Sequence, residues 1–249
     1  MIQLTQDKRP DQQKPLAKPD QLGPVRAWSY STLKKYEDCP YSVYIAKVKK
    51  IVGESGPAAQ RGTEIHQQAE DYVNGTLGEM PDTLFKFKDE FETLRRLYTE
   101  AKVELEGEWG FSLDWESVGW MQPNTWARIK LDALINEDET SARVIDYKTG
   151  KKFGNEIAHG QQALLYAIAT FMRYPHLDYI QTEMWYLDKQ ETTIKGYTRD
   201  QAMIFMPGIH QRAITMTTAE RFDPTPSKTA CRWCDYRKGE FPECTWGVE

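Results

Sequence analysis

The sequence predicts an α/β (α+β) domain with a central mixed sheet flanked by helices. Three observations carry this. Apolar residues recur at helical spacing in segments between residues 29 and 103. Period-two alternation follows from Val103 to Lys148, broken by short polar turns. A helix, a hairpin and a last helix then complete the pattern.

Residues 1–26 are rich in Pro, Gln, Lys and Asp, lack periodicity and are expected to form a mobile, disordered tail. Residues 27–249 then form one domain, its core at about 100–200. Ser29 or Ser31 offers an N-cap for a helix through about Lys47, which Pro40 should kink or divide. A second helix runs from about Ala58 to Val73 and stops at Asn74-Gly75. A third covers roughly 82–103. Val103 to Trp115 reads as strand. In the segment WARIKLDALI, Ala127, Ile129, Leu131, Ala133 and Ile135 should point one way, and Trp126, Arg128, Lys130, Asp132 and Leu134 the other. After the turn NEDETS, the strand ARVIDYK puts Asp146 and Lys148 on one face. A helix from about Glu156 to Arg173, strands over 178–187 and 192–198, and a helix over roughly 200–219 follow.

Composition narrows the function. With 249 residues and 40% apolar content, a substantial core can form. No apolar run approaches the roughly 20 residues needed to cross a bilayer. Mean hydropathy is −0.68, and the N-terminus shows no apolar signal-peptide stretch. A cytoplasmic protein with no membrane partner is expected. A net charge of −5 gives no global attraction to nucleic acid, so any such contact depends on a local basic groove. No G-x-x-x-x-G-K-[ST] run is present, which argues against an ATP-driven motor in this sequence.

The chemistry gathers on two strands. Successive strands joined by a short turn are usually neighbours, which brings Asp132 close to Asp146. Converging carboxylates suit a hard divalent cation such as Mg²⁺ or Mn²⁺, and without one they repel. Lys148, on the same face, can orient or deprotonate a water or steady charge on a phosphate. Phosphodiester hydrolysis needs those parts. Alone, a D-x-K on a strand face is usually solvated surface, and His66, Gln162 and Tyr166 would be ordinary helix residues.

The ordered set SYSTLKKYEDCPYSVYI, RGTEIH, LDALI, VIDYKTGK, QQALLY and CRWCDY resembles the RecB-like branch of the PD-(D/E)XK nuclease superfamily. The resemblance runs from about Trp28 to the C-terminus. It implies a restriction-endonuclease-like core. It also implies metal ligation by His66, Asp132, Asp146 and the backbone carbonyl of Tyr147, with Lys148 as the catalytic lysine. Gln162 and Tyr166 match the helix motif that supports the site and contacts substrate. Glu104 and Glu106 precede the core strands and read more readily as a solvated face.

Four cysteines remain: Cys39, then Cys231 and Cys234 as C-x-x-C, then Cys244. In a chain without an export signal they point to a metal or cluster site rather than disulfides. One cysteine before the core and three after it resembles the iron–sulfur subset of the family, seen in AddB-type subunits and CRISPR adaptation exonucleases, where the ligands hold a [4Fe–4S] cluster. The segments 28–50 and 221–249 would be stapled together. The gap before Cys244 is longer than that family's usual spacing, which keeps zinc open as the alternative. Trp233, Tyr236, Phe241 and Trp246 are expected to pack this tail, with base stacking as the alternative.

Arg61, Arg128, Lys130, Lys151 and Lys152 are the candidates for DNA phosphate contact. The reading is a Mg²⁺/Mn²⁺-dependent deoxyribonuclease, an exonuclease acting on single strands or duplex ends in recombination, repair or phage DNA metabolism. It could be encoded by a bacterium or a phage. The alternatives are a CRISPR adaptation nuclease that trims DNA beside partner proteins, a DNA-binding module that does not cut, and a structural subunit of a recombination complex.

Overall fold

A computed structural model of the chain describes residue 16 and residues 18–53, 56–237 and 243–248. Ser29 caps α1 (Tyr30–Asp38) through its hydroxyl. Cys39 is extended, and Pro40 opens α2 (Pro40–Val43), which continues as a π-helical turn over Tyr44–Val48. Proline thus divides the first helix as expected, because its ring cannot follow a preceding helical turn. α3 (Pro57–Val73) follows, then a 3-10 turn (Asp82–Phe87) leading into α4 (Lys88–Thr99). α4 ends short of 103 because Ala101 takes a left-handed backbone, φ 56°.

Six strands form one sheet: β1 (Val103–Phe111), β2 (Ser117–Val118), β3 (Ala127–Asn136), β4 (Ser141–Lys148), β5 (Tyr179–Tyr186) and β6 (Glu191–Thr198), in the order β2-β1-β3-β4-β5-β6. The pairings are antiparallel except β4 with β5. That parallel pair requires a crossover, supplied by α5 (Glu156–Arg173). α6 (Arg199–Thr217) and the short α7 (Lys228–Arg232) complete the chain. The strand expected to reach Trp115 stops at Phe111, and Trp115 sits in a turn at φ 62°.

The central strands β3, β4 and β5 are largely buried on both faces, whereas the edge strand β6 is mostly exposed. α5 and α6 cover one, packing with Trp28, Trp115, Trp126, Leu134 and Val144. α3 and α4 cover the other, over Ala133, Ile135, Ile145 and Tyr147. Trp28, Trp115 and Trp126 meet edge-on at 5.5–6.2 Å, and the Trp126 indole donates to Thr217 Oγ1 at 3.0 Å. The single apolar face expected for β3 is therefore corrected. Ala127, Ile129 and Leu131 belong to the α5–α6 core together with Leu134, whereas Ala133 and Ile135 belong to the α3–α4 core. Alternation breaks at Asp132.

Of the expected tail, residues 1–15 and 17 lie outside the described residues. Further along, Gly23 N–H donates to the Thr217 carbonyl at 2.7 Å and Val25 is buried, so the domain's packing begins before residue 27. Among the described residues no helix is long and apolar enough to cross a membrane.

Candidate active site

The β3–β4 ladder ends at the pair Ala133–Ile145. One step further, Asp132 faces Asp146 with no ladder bond between their strands. Tyr147 N–H donates instead to Asp132 Oδ2, at 2.6 Å. On the other side of β3, the pairs Leu105–Ala133 and Gly107–Leu131 bracket Glu106, placing it opposite Asp132. Glu106 sits at φ 47°, a left-handed backbone uncommon for a residue with a Cβ. Three carboxylates thus share one row across three strands, where the regular sheet lapses.

Helices from opposite faces close on this row. From α3, His66 Nδ1 lies 2.9 Å from Asp132 Oδ1. From α5, the Tyr166 hydroxyl donates to Asp146 Oδ1 at 2.7 Å, and Gln162 Nε2 donates to the Tyr166 oxygen at 2.6 Å. The four-residue spacing of Gln162 and Tyr166 stacks them on one helix face. Lys148 Nζ donates to Gln162 Oε1 at 2.8 Å and lies 2.6 Å from Asp146 Oδ2. That oxygen is buried and has no aligned hydrogen-bond donor, so its pairing with the ammonium is electrostatic.

Electrostatics follow from burial. Asp132 is 8% exposed. Loss of water pushes its carboxyl up, and the charge of Asp146 adds to this, while His66 and the Tyr147 N–H work against it. For His66, burial favours the neutral ring, yet the hydrogen bond and charge of Asp132 outweigh it and hold the imidazole above its ordinary value. Burial beside the carboxylates pushes the Tyr166 phenol well up, so it acts as a donor.

His66, Glu106 and Asp132 each place a ligand atom within 4.8 Å of the others. A histidine nitrogen and carboxylate oxygens in this arrangement, next to the under-satisfied oxygen of Asp146, fit a divalent cation. Asp146 is not one of the converging three: its carboxylate is held by Tyr166 and Lys148. Glu106, read from the sequence as a solvated face, lies in this group. Its neighbour Glu104 is committed elsewhere, accepting from the Trp109 indole and the Tyr174 hydroxyl, both at 2.8 Å.

The candidate phosphate-contact residues divide. Arg61 is bound bidentately by Asp188 at 2.7 and 2.9 Å, Lys130 pairs with Glu106, and Lys152 lies 3.4 Å from Glu191. Lys151 is exposed. Arg128 donates Nε to the Trp120 carbonyl at 3.0 Å and lies over the Trp120 ring.

Cys39, Cys231, Cys234 and Cys244 are free thiols lining one small cavity that joins the N-terminal helices to the C-terminal tail. Burial pushes the Cys234 thiol up, with Cys244 and Cys39 adding to the shift. Tyr236 is buried and its hydroxyl donates to the Ile51 carbonyl at 2.7 Å. Trp233 is 78% exposed, against the packing role expected for it; Trp246 is half-exposed, and Phe241 lies outside the described residues.

Against known proteins, the family model of the PD-(D/E)XK nuclease superfamily matches residues 27–122 and 128–238. No curated protein matches the chain. Among solved structures, that of SSO0001 is 17% identical, covers 85% of this chain and 84% of its own, and superposes with a TM-score of 0.44. An alkaline exonuclease from Laribacter hongkongensis, LHK-Exo, is 13% identical with a TM-score of 0.38, covering 77% of this chain and 87% of its own. Its complex with dAMP gives 13% and 0.37, with 76% and 86% covered.

Proposed function

This chain belongs to the PD-(D/E)XK nuclease superfamily, and from that premise we propose that it is a Mg²⁺/Mn²⁺-dependent deoxyribonuclease, an exonuclease that hydrolyses phosphodiester bonds at DNA ends. The observation that carries the proposal is the row Glu106–Asp132–Asp146 with His66 on one side and Lys148 on the other. His66, Asp132 and Asp146, with Glu106 and the Tyr147 carbonyl, would hold the cation, which supplies Lewis acidity toward the phosphate and its attacking water. Lys148 is fixed by Asp146 and Gln162 so that its ammonium can orient the water and offset charge developing on the phosphate. Tyr166 fixes Asp146, and through Gln162 it fixes Lys148 as well.

The motif order further supports the RecB-like branch and its iron–sulfur subset. Four free cysteines from distant segments lining one cavity are a donor set suited to a [4Fe–4S] cluster. Recombination, repair or phage DNA metabolism is the proposed setting, in the cytoplasm.

The test is direct. Protein purified without oxygen is incubated with end-labelled single- and double-stranded DNA and Mn²⁺ or Mg²⁺, beside Asp146→Ala and Lys148→Ala. Metal-dependent degradation abolished by both substitutions is the expected result. A wild type that binds DNA but never cuts it, with either metal and a free end, would sink the catalytic reading.

A further inference from the structure

A pocket of about 350 Å³ opens beside the carboxylate row, large enough for one small organic ligand. Its walls include Ser31, Lys47, Trp120, Arg128, Gln162 and Tyr166. Two of these, Gln162 and Tyr166, also hold Lys148 and Asp146, so the pocket and the active site share a wall. Three cations line it, Lys47, Arg128 and Lys130, and the basic residues around the site differ in their partners. Arg61, Lys130 and Lys152 are each neutralised by an acidic partner. Arg128 and Lys47 are cations with no carboxylate paired to them among the described residues, in a chain of net charge −5.

Three further features fit one ligand. Arg128 lies 5.7 Å from the Trp120 ring centroid, forming an aromatic–guanidinium wall. Nucleobases stack on both kinds of surface. The first turn of α1 lines the opposite side. There the Ser29 hydroxyl takes the Thr32 N–H and the Ser29 carbonyl the Leu33 N–H. The Tyr30 and Ser31 N–H groups come before Leu33, the first intrahelical donor, and offer positive dipole to an anion. Trp28, also in the wall, keeps a buried indole N–H without an acceptor among the described residues. The placement is fixed by the backbone: Trp28 bridges to β3, accepting from Arg128 N–H and donating to the Trp126 carbonyl, both at 2.8 Å.

We infer that this pocket is a subsite for one unpaired nucleotide of the DNA strand next to the scissile phosphate, with its base on the Trp120–Arg128 wall and its phosphate between Arg128, Lys47 and the α1 N-terminus. The inference rests on the nuclease reading for its role in catalysis, but binding alone can test it. It makes the enzyme a reader of single strands or frayed ends, since a base held in a duplex stack is not free to enter.

The experiment measures fluorescence anisotropy of a labelled oligo(dT) and of a blunt duplex, with Ca²⁺ present. It compares wild type, Trp120→Ala, Arg128→Ala and Trp120→Phe. Cleavage of the same oligo(dT) and of bis(p-nitrophenyl) phosphate is followed in Mn²⁺. Expected is roughly tenfold weaker oligo(dT) binding for each alanine variant, near the size of one lost base stack. Trp120→Phe should restore most of it, and the duplex should bind little differently across the set. Wild-type binding to oligo(dT) that is unmoved by either alanine substitution overturns the subsite, whether or not the protein cuts. Binding that depends on Trp120 without any cleavage keeps the subsite and removes the nuclease reading. Absence of both binding and cleavage overturns both.

Discussion

Asp132 shows how a single residue sets function against stability. Its carboxylate is buried, faces Asp146, and is offset by a histidine and one backbone N–H. A carboxyl raised by burial is favoured in its protonated form. Its contribution to stability is present below the unfolded value near 3.9 and is lost as pH rises through the higher folded value. Wherever Asp132 is ionised, the metal-free fold therefore bears a cost. Asp132→Asn keeps an acceptor for Tyr147 N–H and removes the charge. Without divalent metal at neutral pH, the variant should melt about 2–4 °C higher than wild type, the shift for roughly 1 kcal/mol in a chain of this size. The difference should disappear in acid, where the wild-type residue is protonated. Added Mn²⁺ should raise the melting temperature of wild type and leave the variant nearly unmoved, because only the wild type binds the ion in its folded state. Calorimetric scans at two pH values, with and without metal, check this; a variant less stable than wild type in metal-free buffer would contradict it.

The strands β1, β3 and β4 make the site by failing to pair. Where the ladders lapse, Tyr147 N–H turns to Asp132, and Glu106 takes a left-handed backbone. The sequence shows one half of this. Adjacent strands joined by NEDETS put Asp132 beside Asp146, one step past the last β3–β4 pair, and four-residue spacing brings Gln162 to Tyr166. The place of Glu106 opposite Asp132 is not legible, because it depends on the β1–β3 register, and β1 and β3 are separated by a loop that carries β2. The break of alternation at Asp132 was hidden for a related reason: a sheet buried on both faces has apolar residues on both sides of its strands. Partners of the basic residues were equally invisible, since Arg61 meets Asp188 across 127 positions of chain. If β1 completes the cation site, Glu106→Gln should weaken Mn²⁺ binding by about 10–100-fold, the range for lost metal-site support, with the circular dichroism spectrum unchanged. Isothermal titration gives the answer, and an unchanged affinity would return Glu106 to a structural role as the partner of Lys130.

At the scale of the whole molecule, the chain's two ends meet around the cysteines. Lys35 pairs with Asp235 at 2.8 Å, Tyr41 donates to the Glu243 carbonyl at 3.0 Å, and Tyr236 reaches Ile51. Thr225 Oγ1 also donates to the Asp38 carbonyl at 3.1 Å, and Phe222 packs on Tyr36 and Tyr44. An exposed ion pair contributes about 0–1 kcal/mol, and the tail includes a helix of only five residues. Four thiols in one cavity would add to these contacts, because a metal or cluster bound only by the folded form adds its binding free energy to folding and closes a loop of some 190 residues. The consequence is a division of labour across the fold. The sheet and its two apolar cores hold the carboxylate row and, through the Trp28 bridge to β3, the α1 end that lines the proposed nucleotide pocket, while the four cysteines would hold the C-terminal tail to the N-terminal helices. Cys39→Ser should therefore leave the sheet folded, abolish the visible absorption of anaerobically purified protein, and open the segment after residue 220 to protease. Strand binding and hydrolysis of a small diester should both persist, since Trp28 still ties the start of α1 to β3. Iron analysis, limited proteolysis and the two substrate assays on one preparation distinguish the outcomes. Colourless wild-type protein with stoichiometric zinc would replace the cluster with zinc and keep the staple. A Cys39→Ser protein with unchanged metal content and protease pattern would remove the staple itself.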